Sequence, residues 1–371
     1  MDVPEYLTPA GFARAWSPEV PGPMLDPGPR QTPVPGAIDA VPGVEGLPVA
    51  DILRAVWWSD GFHTNPATGH PGKVRKRGVP SAGGCYPVQL HVFCGAGCDV
   101  PPGAYVVNGS TGGLLRRADN DAGARQRGCA AAPEVGAVVV LTVLPQRTAA
   151  KYHHRTGPLL IADTAYAAVA LIHHAAARSV AADWAILEPQ AWPGFPRETA
   201  LARVALRGSA PLPEFQGVSR QQLAARRSAD AFQPRSGGSR TTGFRAMVGP
   251  LSSQGPTVPA KPRACRTRLI HGEALNATEL AEHCAHQRWI RNLDALLVFE
   301  TAAPPDPEAL WWASSAAAHA LYSALGAGDA VDFRPVGGWT GTLNGWTVLH
   351  GLGVLRRDTK PTDERDTHAG Q

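Results

Sequence analysis

Residues 137–144 read Ala137-Val138-Val139-Val140-Leu141-Thr142-Val143-Leu144, bounded by Gly136 and Pro145. A continuous β-branched run of this length, closed by a glycine and a proline, predicts a buried strand. Beyond it, Asp163 to Arg178 is alanine-rich and predicts a helix, and Asp183 to Leu187 predicts a further strand. The same order returns later. Leu296 to Phe299 is a strand within Ala295-Leu296-Leu297-Val298-Phe299-Glu300-Thr301, Ser314 to Leu325 is a second alanine-rich helix, and Asp332 to Val336 is a second extended piece. A repeated unit this large predicts an α+β architecture of two similar packed halves. A solenoid would need several short repeats.

The remaining sequence sets limits. A chain of 371 residues suits one large domain or two ordinary ones, and 44% apolar with 18% charged residues allows a substantial core. Lys plus Arg number 35 against 31 Asp plus Glu, and the net +4 is spread along the chain. That balance gives no ground for a nucleic-acid partner. Cys94 and Cys98 have no matching Cys/His pair downstream, so no metal site is expected. The start, Met1-Asp2-Val3-Pro4-Glu5, lacks a basic region followed by an apolar run, and Pro158 to Ala177 is interrupted by Asp163, His173 and His174. Neither reads as a signal peptide or a bilayer span, so the expectation is a cytoplasmic protein without a membrane partner.

Trp16 to Pro42 carries proline at 18, 21, 23, 27, 29, 33, 35 and 42, which excludes a helix or a central strand. It reads as an extended arm that is ordered only if something else holds it. Leu47 to Trp58 has the apolar spacing of an amphipathic helix. Gly61 to Gly78 reads as a loop ending in the basic cluster Lys73, Arg75, Lys76 and Arg77. Val88 to Phe93 and Ala104 to Val107 read as short strands, the second followed by a turn at Asn108 to Gly113. Arg356 to Gln371 is charged without apolar period and reads as disordered. The expected organisation is an arm over 1–45, one half over 46–213, a second over 214–358 and a tail over 359–371.

Four segments stand out chemically. In Val79-Pro80-Ser81-Ala82-Gly83-Gly84-Cys85-Tyr86-Pro87, small residues let backbone N–H groups approach a ligand, and Ser81 can donate a hydrogen bond. A plain loop entering the next strand has the same composition. Arg226-Arg227-Ser228, with Phe232, groups two guanidiniums and a hydroxyl suited to a phosphate monoester, or else forms a solvated helix end. Arg334-Pro335-Val336-Gly337-Gly338-Trp339 sets paired glycines after a strand, where a flat ring could lie on the backbone or a sharp turn could form. Lys151-Tyr152, followed by His153, His154 and Arg155, clusters acid/base candidates just before a helix, or an interface patch. No Walker-type phosphate loop, G-x-G-x-x-G fingerprint, H-E-x-x-H or G-x-S-x-G is present, so NAD-type Rossmann and serine-hydrolase readings are unsupported.

Together these segments resemble the nitroreductase-like flavoproteins, and within them the SagB-type dehydrogenases that convert peptide thiazolines and oxazolines to thiazoles and oxazoles. Pro80-Ser81-Ala82-Gly83 through Tyr86-Pro87 is similar to that branch's PSAG…YP motif, and Lys151-Tyr152 to its Lys-Tyr pair. Arg226-Arg227-Ser228 resembles the opening of a nitroreductase protomer, and Pro335-Val336-Gly337-Gly338 its flavin loop. The resemblance spans roughly Leu47 to Arg357. Family members are dimers with FMN between protomers, one giving the Arg/Ser opening and the glycine loop, its partner the Pro-Ser segment. Here the Arg-Arg-Ser stretch follows the Pro-Ser segment instead of preceding it. The first half keeps Pro-Ser-Ala-Gly and Lys-Tyr, whereas the second keeps Arg-Arg-Ser and Gly-Gly. These complementary losses imply a fused pseudo-dimer with one intact flavin site and one dead site.

What the resemblance implies is an FMN-dependent azoline dehydrogenase. Lys151 or Tyr152 would be the base. Pro80, Ser81, Ala82, Gly83, Arg226, Arg227, Ser228, Val336, Gly337, Gly338, Arg356 and Arg357 would bind the cofactor. An azoline-containing precursor peptide would be the substrate, and a cyclodehydratase or leader-binding protein the partner, as in thiopeptide-like biosynthesis. The alternatives are an NAD(P)H-dependent nitro or quinone reductase and a flavin-free scaffold of a peptide-modifying complex.

Overall fold

The β-branched run at 137–143 lies inside the largest of the three sheets among the described residues. A computed structural model describes residues 5–34, 37–40, 42–43, 45–59, 61–64, 68, 70–117, 134–209, 217–225, 258–271, 277–284, 287–327 and 331–356. The N-terminal segment contributes α1 (Pro9–Ala15) and β1 (Ile38–Ala40), and the first half α2 (Val49–Trp57), β2 (Phe62–Thr64), β3 (Pro71–Arg75), β4 (Val88–Cys94), β5 (Gly103–Val107), β6 (Leu114–Arg116) and β7 (Ala137–Val143). It continues with α3 (Pro145–Tyr152), α4 (Thr156–Ala176), β8 (Val180–Trp192) and β9 (Phe195–Ser209). The second half contributes α5 (Arg220–Ala225), β10 (Cys265–His271), α6 (Ala277–His283), β11 (Ala295–Thr301), α7 (Pro307–Ala327), β12 (Val331–Val336) and β13 (Thr347–Arg356).

The duplication expected from the sequence is visible in the strand order. One sheet runs β1-β6-β5-β4-β7-β9-β8 and a second β10-β11-β13-β12. Within the first, β4-β7-β9-β8 has α4 inserted between β7 and β8. The second repeats this, with α7 inserted between β11 and β12. All these pairings are antiparallel. Even the irregularity repeats: the β7–β9 ladder shifts register between Leu141 and Thr142, and the β11–β13 ladder between Phe299 and Glu300. Each shift falls at the same step of a seven-residue strand.

The two halves meet through α4 and α7, both of 21 residues. Every residue of α4 except Pro158 is buried, as expected of a helix that is apolar on all sides. Tyr166 and Tyr322 meet edge to face at 6.4 Å, and His173 Nε2 lies 3.1 Å from His319 Nδ1. Tyr166 Oη and His350 Nε2, 3.1 Å apart, tie α4 to β13. Burial lowers the His350 pKa to about 4, so that imidazole is neutral.

Several expectations need correction. The second half of the expected loop over Gly61 to Gly78 is β3, which pairs antiparallel with β2, Phe62 opposite Arg75. The helix expected from Asp163 starts at Thr156, and Lys151-Tyr152 form the last turn of the separate helix α3. Arg356, expected in a disordered tail, pairs with Val331 as the end of β13, because its neighbours Val354 and Leu355 are core residues. Residues 357–371 lie outside the described residues.

The proline-rich arm is held, and the groups that hold it come largely from α3 and its C-terminal flank. The Leu25 N–H donates to Ala150 O at 2.7 Å. Arg155 donates to Glu19 O, His153 to Pro23 O, Gln146 to Asp26 O and Arg147 to Gly28 O, at 2.9 to 3.2 Å. Proline removes the arm's own ladder donors, so side chains of the body satisfy its carbonyls.

Candidate functional site

Asp163 is the centre from which the site is built. It stands in the second turn of α4, 6% exposed, in an otherwise apolar surround. A carboxylate there requires hydrogen-bond donors, and the Pro80–Gly83 loop provides them. The Ser81 hydroxyl donates to Asp163 Oδ2 at 2.6 Å and the Ala82 N–H to Oδ1 at 3.0 Å. Ser81 Oγ also accepts from the Tyr86 N–H at 2.9 Å. Burial pushes the Asp163 carboxyl up to about 7, against the hydrogen bonds from Ser81 and Ala82 and the nearby Arg77, which pull it down. The Ser81 hydroxyl, expected as a ligand donor, thus anchors its loop, whose surface is exposed at Gly83.

That surface bends sharply. Gly83 and Gly84 have φ of 53° and 69°, and Tyr86 follows with φ of 49°. A positive φ is inexpensive for glycine and strained for tyrosine. The Tyr86 phenol is fixed by His63 Nε2 at 2.7 Å, and Arg147 Nε donates to Cys85 O at 2.7 Å.

Lys151 and Tyr152 converge on this bend. Lys151 Nζ is 3.4 Å from Gly83 O, and a Cβ built on Gly83 would collide with both Lys151 Nζ and Tyr152 Oη. Only glycine leaves room for both side chains. Burial raises the Tyr152 phenol well above its ordinary value, with the neighbouring Cys85 and Asp163 adding to the shift. Lys151 is exposed at the end of α3. The helix stops immediately afterwards at His153, whose φ of 49° and ψ of −121° redirect the chain into α4.

The glycine loop of the second half reaches the same helix. A Cβ on Gly337 would lie 2.9 Å from Leu159 Cδ2, and Leu159 is one helical turn from Asp163. Gly338 has φ of 78°, and Gln287 Nε2 donates to Gly337 O at 2.8 Å. Ser81, Ala82, Gly83, Lys151, Tyr152 and Gly337 are therefore placed beside the first turns of α4, with Pro80, Val336 and Gly338 next to them in sequence. Arg226, Arg227, Ser228 and Arg357 lie outside the described residues. The backbone of Arg356 pairs with Val331 at the end of β13.

Sequence reading did not single out Asp163 as a site residue. Its signal was present as a lone carboxylate inside the apolar run Pro158 to Ala177. His63 was hidden in a stretch read as loop. A cavity of 620 Å³ lies at the other end of α3, lined by Asp26, Gln146, Arg147, Arg197 and Glu198 among others, and none of the motif residues lines it.

No family model and no curated protein sequence matches the chain. Among solved structures it is similar to a protein assigned as a nitroreductase from Anabaena variabilis, with a TM-score of 0.58 at 14% identity over 83% of this chain and 87% of that one. Weaker likenesses, with TM-scores of 0.32 and 0.29 over 52% of this chain, are to the E. coli microcin synthetase McbBCD complex with truncated pro-MccB17 bound and to a protein assigned as a nitroreductase from Ralstonia eutropha. They cover 80% and 96% of those chains, at 13% and 15% identity. The first of these likenesses and the repeated strand order agree: the chain has a nitroreductase-like α+β fold built from two fused halves.

Proposed function

We propose that this protein is an FMN-dependent dehydrogenase that oxidises thiazolines or oxazolines of a ribosomally made peptide to thiazoles or oxazoles. The observation that carries the reading is the convergence of Lys151 and Tyr152 on Gly83, in a loop moored to the helix that also meets Gly337. The residues fit the cofactor. Gly83, Gly84 and Gly338 have positive φ, so both segments turn sharply without a side chain at the bend, and their backbone N–H groups would line the cofactor. Pro80, Ala82 and Val336 would complete these walls, with Ser81 fixing one of them. Arg226, Arg227, Ser228, Arg356 and Arg357 are the proposed phosphate ligands.

When bound, FMN would supply the hydride acceptor of the dehydrogenation. The chain's own groups manage the proton. The azoline carbon that was a peptide Cα lies between C=N and C=O and is acidic for a C–H. Tyr152 stays protonated, because its pKa is raised by burial, and donates a hydrogen bond. Lys151, in its neutral amine form, would accept the proton. Because ring closure of Cys, Ser or Thr onto the preceding carbonyl must come first, a cyclodehydratase is the proposed partner and the cyclised precursor peptide the substrate. The reading includes no nucleic-acid or membrane partner and a cytoplasmic location.

The test is the visible spectrum of the purified protein, with its flavin identified by mass, followed by incubation with an azoline peptide. Flavin absorbance and loss of two hydrogens per ring are expected. Colourless protein that cannot be reconstituted with FMN would reject the reading. NADPH-driven reduction of nitro compounds or quinones, without azole formation, would replace it.

A further inference from the structure

The hairpin β2–β3 carries the basic cluster singled out in the sequence, and its two faces do different things. His63 faces inward and meets the Tyr86 phenol of the glycine loop. Phe62, its neighbour on β2, is 38% exposed and faces the other way. There Arg75 lies over the Phe62 ring at 4.6 Å and over the Trp58 ring at 4.7 Å, and Arg54 from α2 also lies over Trp58 at 4.7 Å. Trp58 is pinned by its Nε1–H to Ser110 O at 3.1 Å, and Arg75 by Nη1–H to Ser59 O at 2.9 Å. Deeper in the same strand end, Arg77 lies over Trp57 at 3.6 Å and over Tyr86 at 5.1 Å. No ion pair among the described residues joins Arg54, Arg75 or Lys76 to a carboxylate.

Guanidiniums held over aromatic rings have lost side-chain freedom before any ligand arrives, and their N–H groups not used within the protein can donate to carboxylates. We propose that the Arg54–Trp58–Phe62–Arg75 face, with Lys76 beside it, is a docking surface for an acidic segment of the peptide substrate. It is continuous with the site through His63 and Tyr86, so a peptide held there has its other end beside Gly83. The positions over Trp58 and Phe62 that stacking bases would take are held by guanidinium groups, which favours a peptide over a single-stranded nucleic acid. The docking site rests on the peptide-oxidising reading for its occupant, yet its binding is measurable without turnover.

The experiment uses the full-length FMN-loaded protein and a fluorescein-labelled peptide containing five glutamates, with a five-glutamine peptide and a single-stranded oligonucleotide as comparators. Anisotropy should show the acidic peptide binding at least about tenfold more tightly than the glutamine peptide, weakening with added NaCl. R54E/R75E should lose at least about tenfold of that affinity. Arg54 is exposed on α2, so R54E alone serves if the double variant fails to fold. Equal binding to the wild type and either charge-reversal variant, or no binding to the wild type, overturns the proposal. So does an oligonucleotide that binds more tightly than the peptide and is lost on the same variants. Azole formation with unaltered docking would count against this surface alone. Docking without any azole formation would count against the catalytic reading alone.

Discussion

The Ser81 hydroxyl and the Asp163 carboxylate, 2.6 Å apart, join a surface loop to the most buried helix of the fold. The same carboxylate accepts the Ala82 N–H, so two loop donors depend on one acid. Asp163→Ala should leave both unpaired and cost about 1–3 kcal/mol, the desolvation penalty of buried donors without partners. Asp163→Asn keeps an acceptor oxygen and should cost less. Urea unfolding of both variants measures the difference, and equal losses would show that the hydrogen bonds do not set the effect.

Asp163 also gives stability a pH dependence of defined sign. Burial raises its pKa from 3.8 to about 7 in the folded state. Between those values the folded group keeps its proton while the unfolded one has released it. The unfolded state then binds fewer protons, and this group's contribution to stability falls as pH rises from about 4 to about 7. Above that window the contribution is constant. The difference in urea midpoint between wild type and Asp163→Asn, followed from pH 4 to 8, isolates it. A difference independent of pH would contradict the raised pKa.

Gly83 should tolerate no side chain. Gly83→Ala would force a Cβ into Lys151 Nζ and Tyr152 Oη at a φ of +53°. The backbone cost is about 1–2 kcal/mol, which leaves a folded protein, whereas the two tips must both move. Azole formation should fall about 100-fold or more, on the scale of a misplaced catalytic group. Thermal melts run beside turnover separate the two effects. Full activity in Gly83→Ala would remove Gly83 from the site.

Lys151→Ala should keep the visible flavin spectrum and lose azole formation by about 10²–10⁴-fold, the usual contribution of a positioned acid or base. Tyr152→Phe should keep part of the activity, since it removes a donor and leaves the proton acceptor. A larger loss in Tyr152→Phe than in Lys151→Ala would exchange the two roles.

How much of this was legible in the sequence follows from which signals were local. Ala137 to Val143 and Ala295 to Thr301 announce their strands, because both are largely buried on both faces and apolar through their first five residues. The strand at Asp183 to Leu187 was legible, but its extension to Val180–Trp192 and its partner β9 escaped, because Pro189, Pro196 and a half-exposed pattern break alternation. The start of α4 was missed by seven residues: Gly157 and Pro158 read as breakers, yet proline is acceptable in a first turn. The arm was legible as extended, but its attachment to α3 depends on Gln146, Arg147, His153 and Arg155 far along the chain. The motifs were legible one by one. Their meeting at Asp163 and Leu159 is tertiary.

The second half offers a last test, because the fold repeats but the site does not. At the proposed site, Gly337, just after β12, lies against Leu159 in the first turn of α4. At the matching junction, β8 carries Trp184, whose ring lies 5.6 Å from that of Trp311 in the second turn of α7. Trp311 is 5% exposed, and the stretch Trp184 to Pro189 that matches Arg334 to Trp339 has no glycine. One FMN per chain is therefore expected from absorbance against protein concentration. Trp311→Ala should destabilise the fold by about 3–5 kcal/mol, the cost of emptying a buried tryptophan position, without raising the flavin ratio, because the matching strand lacks a Gly-Gly pair. A wild-type ratio of two would show that the missing glycines do not close the second junction.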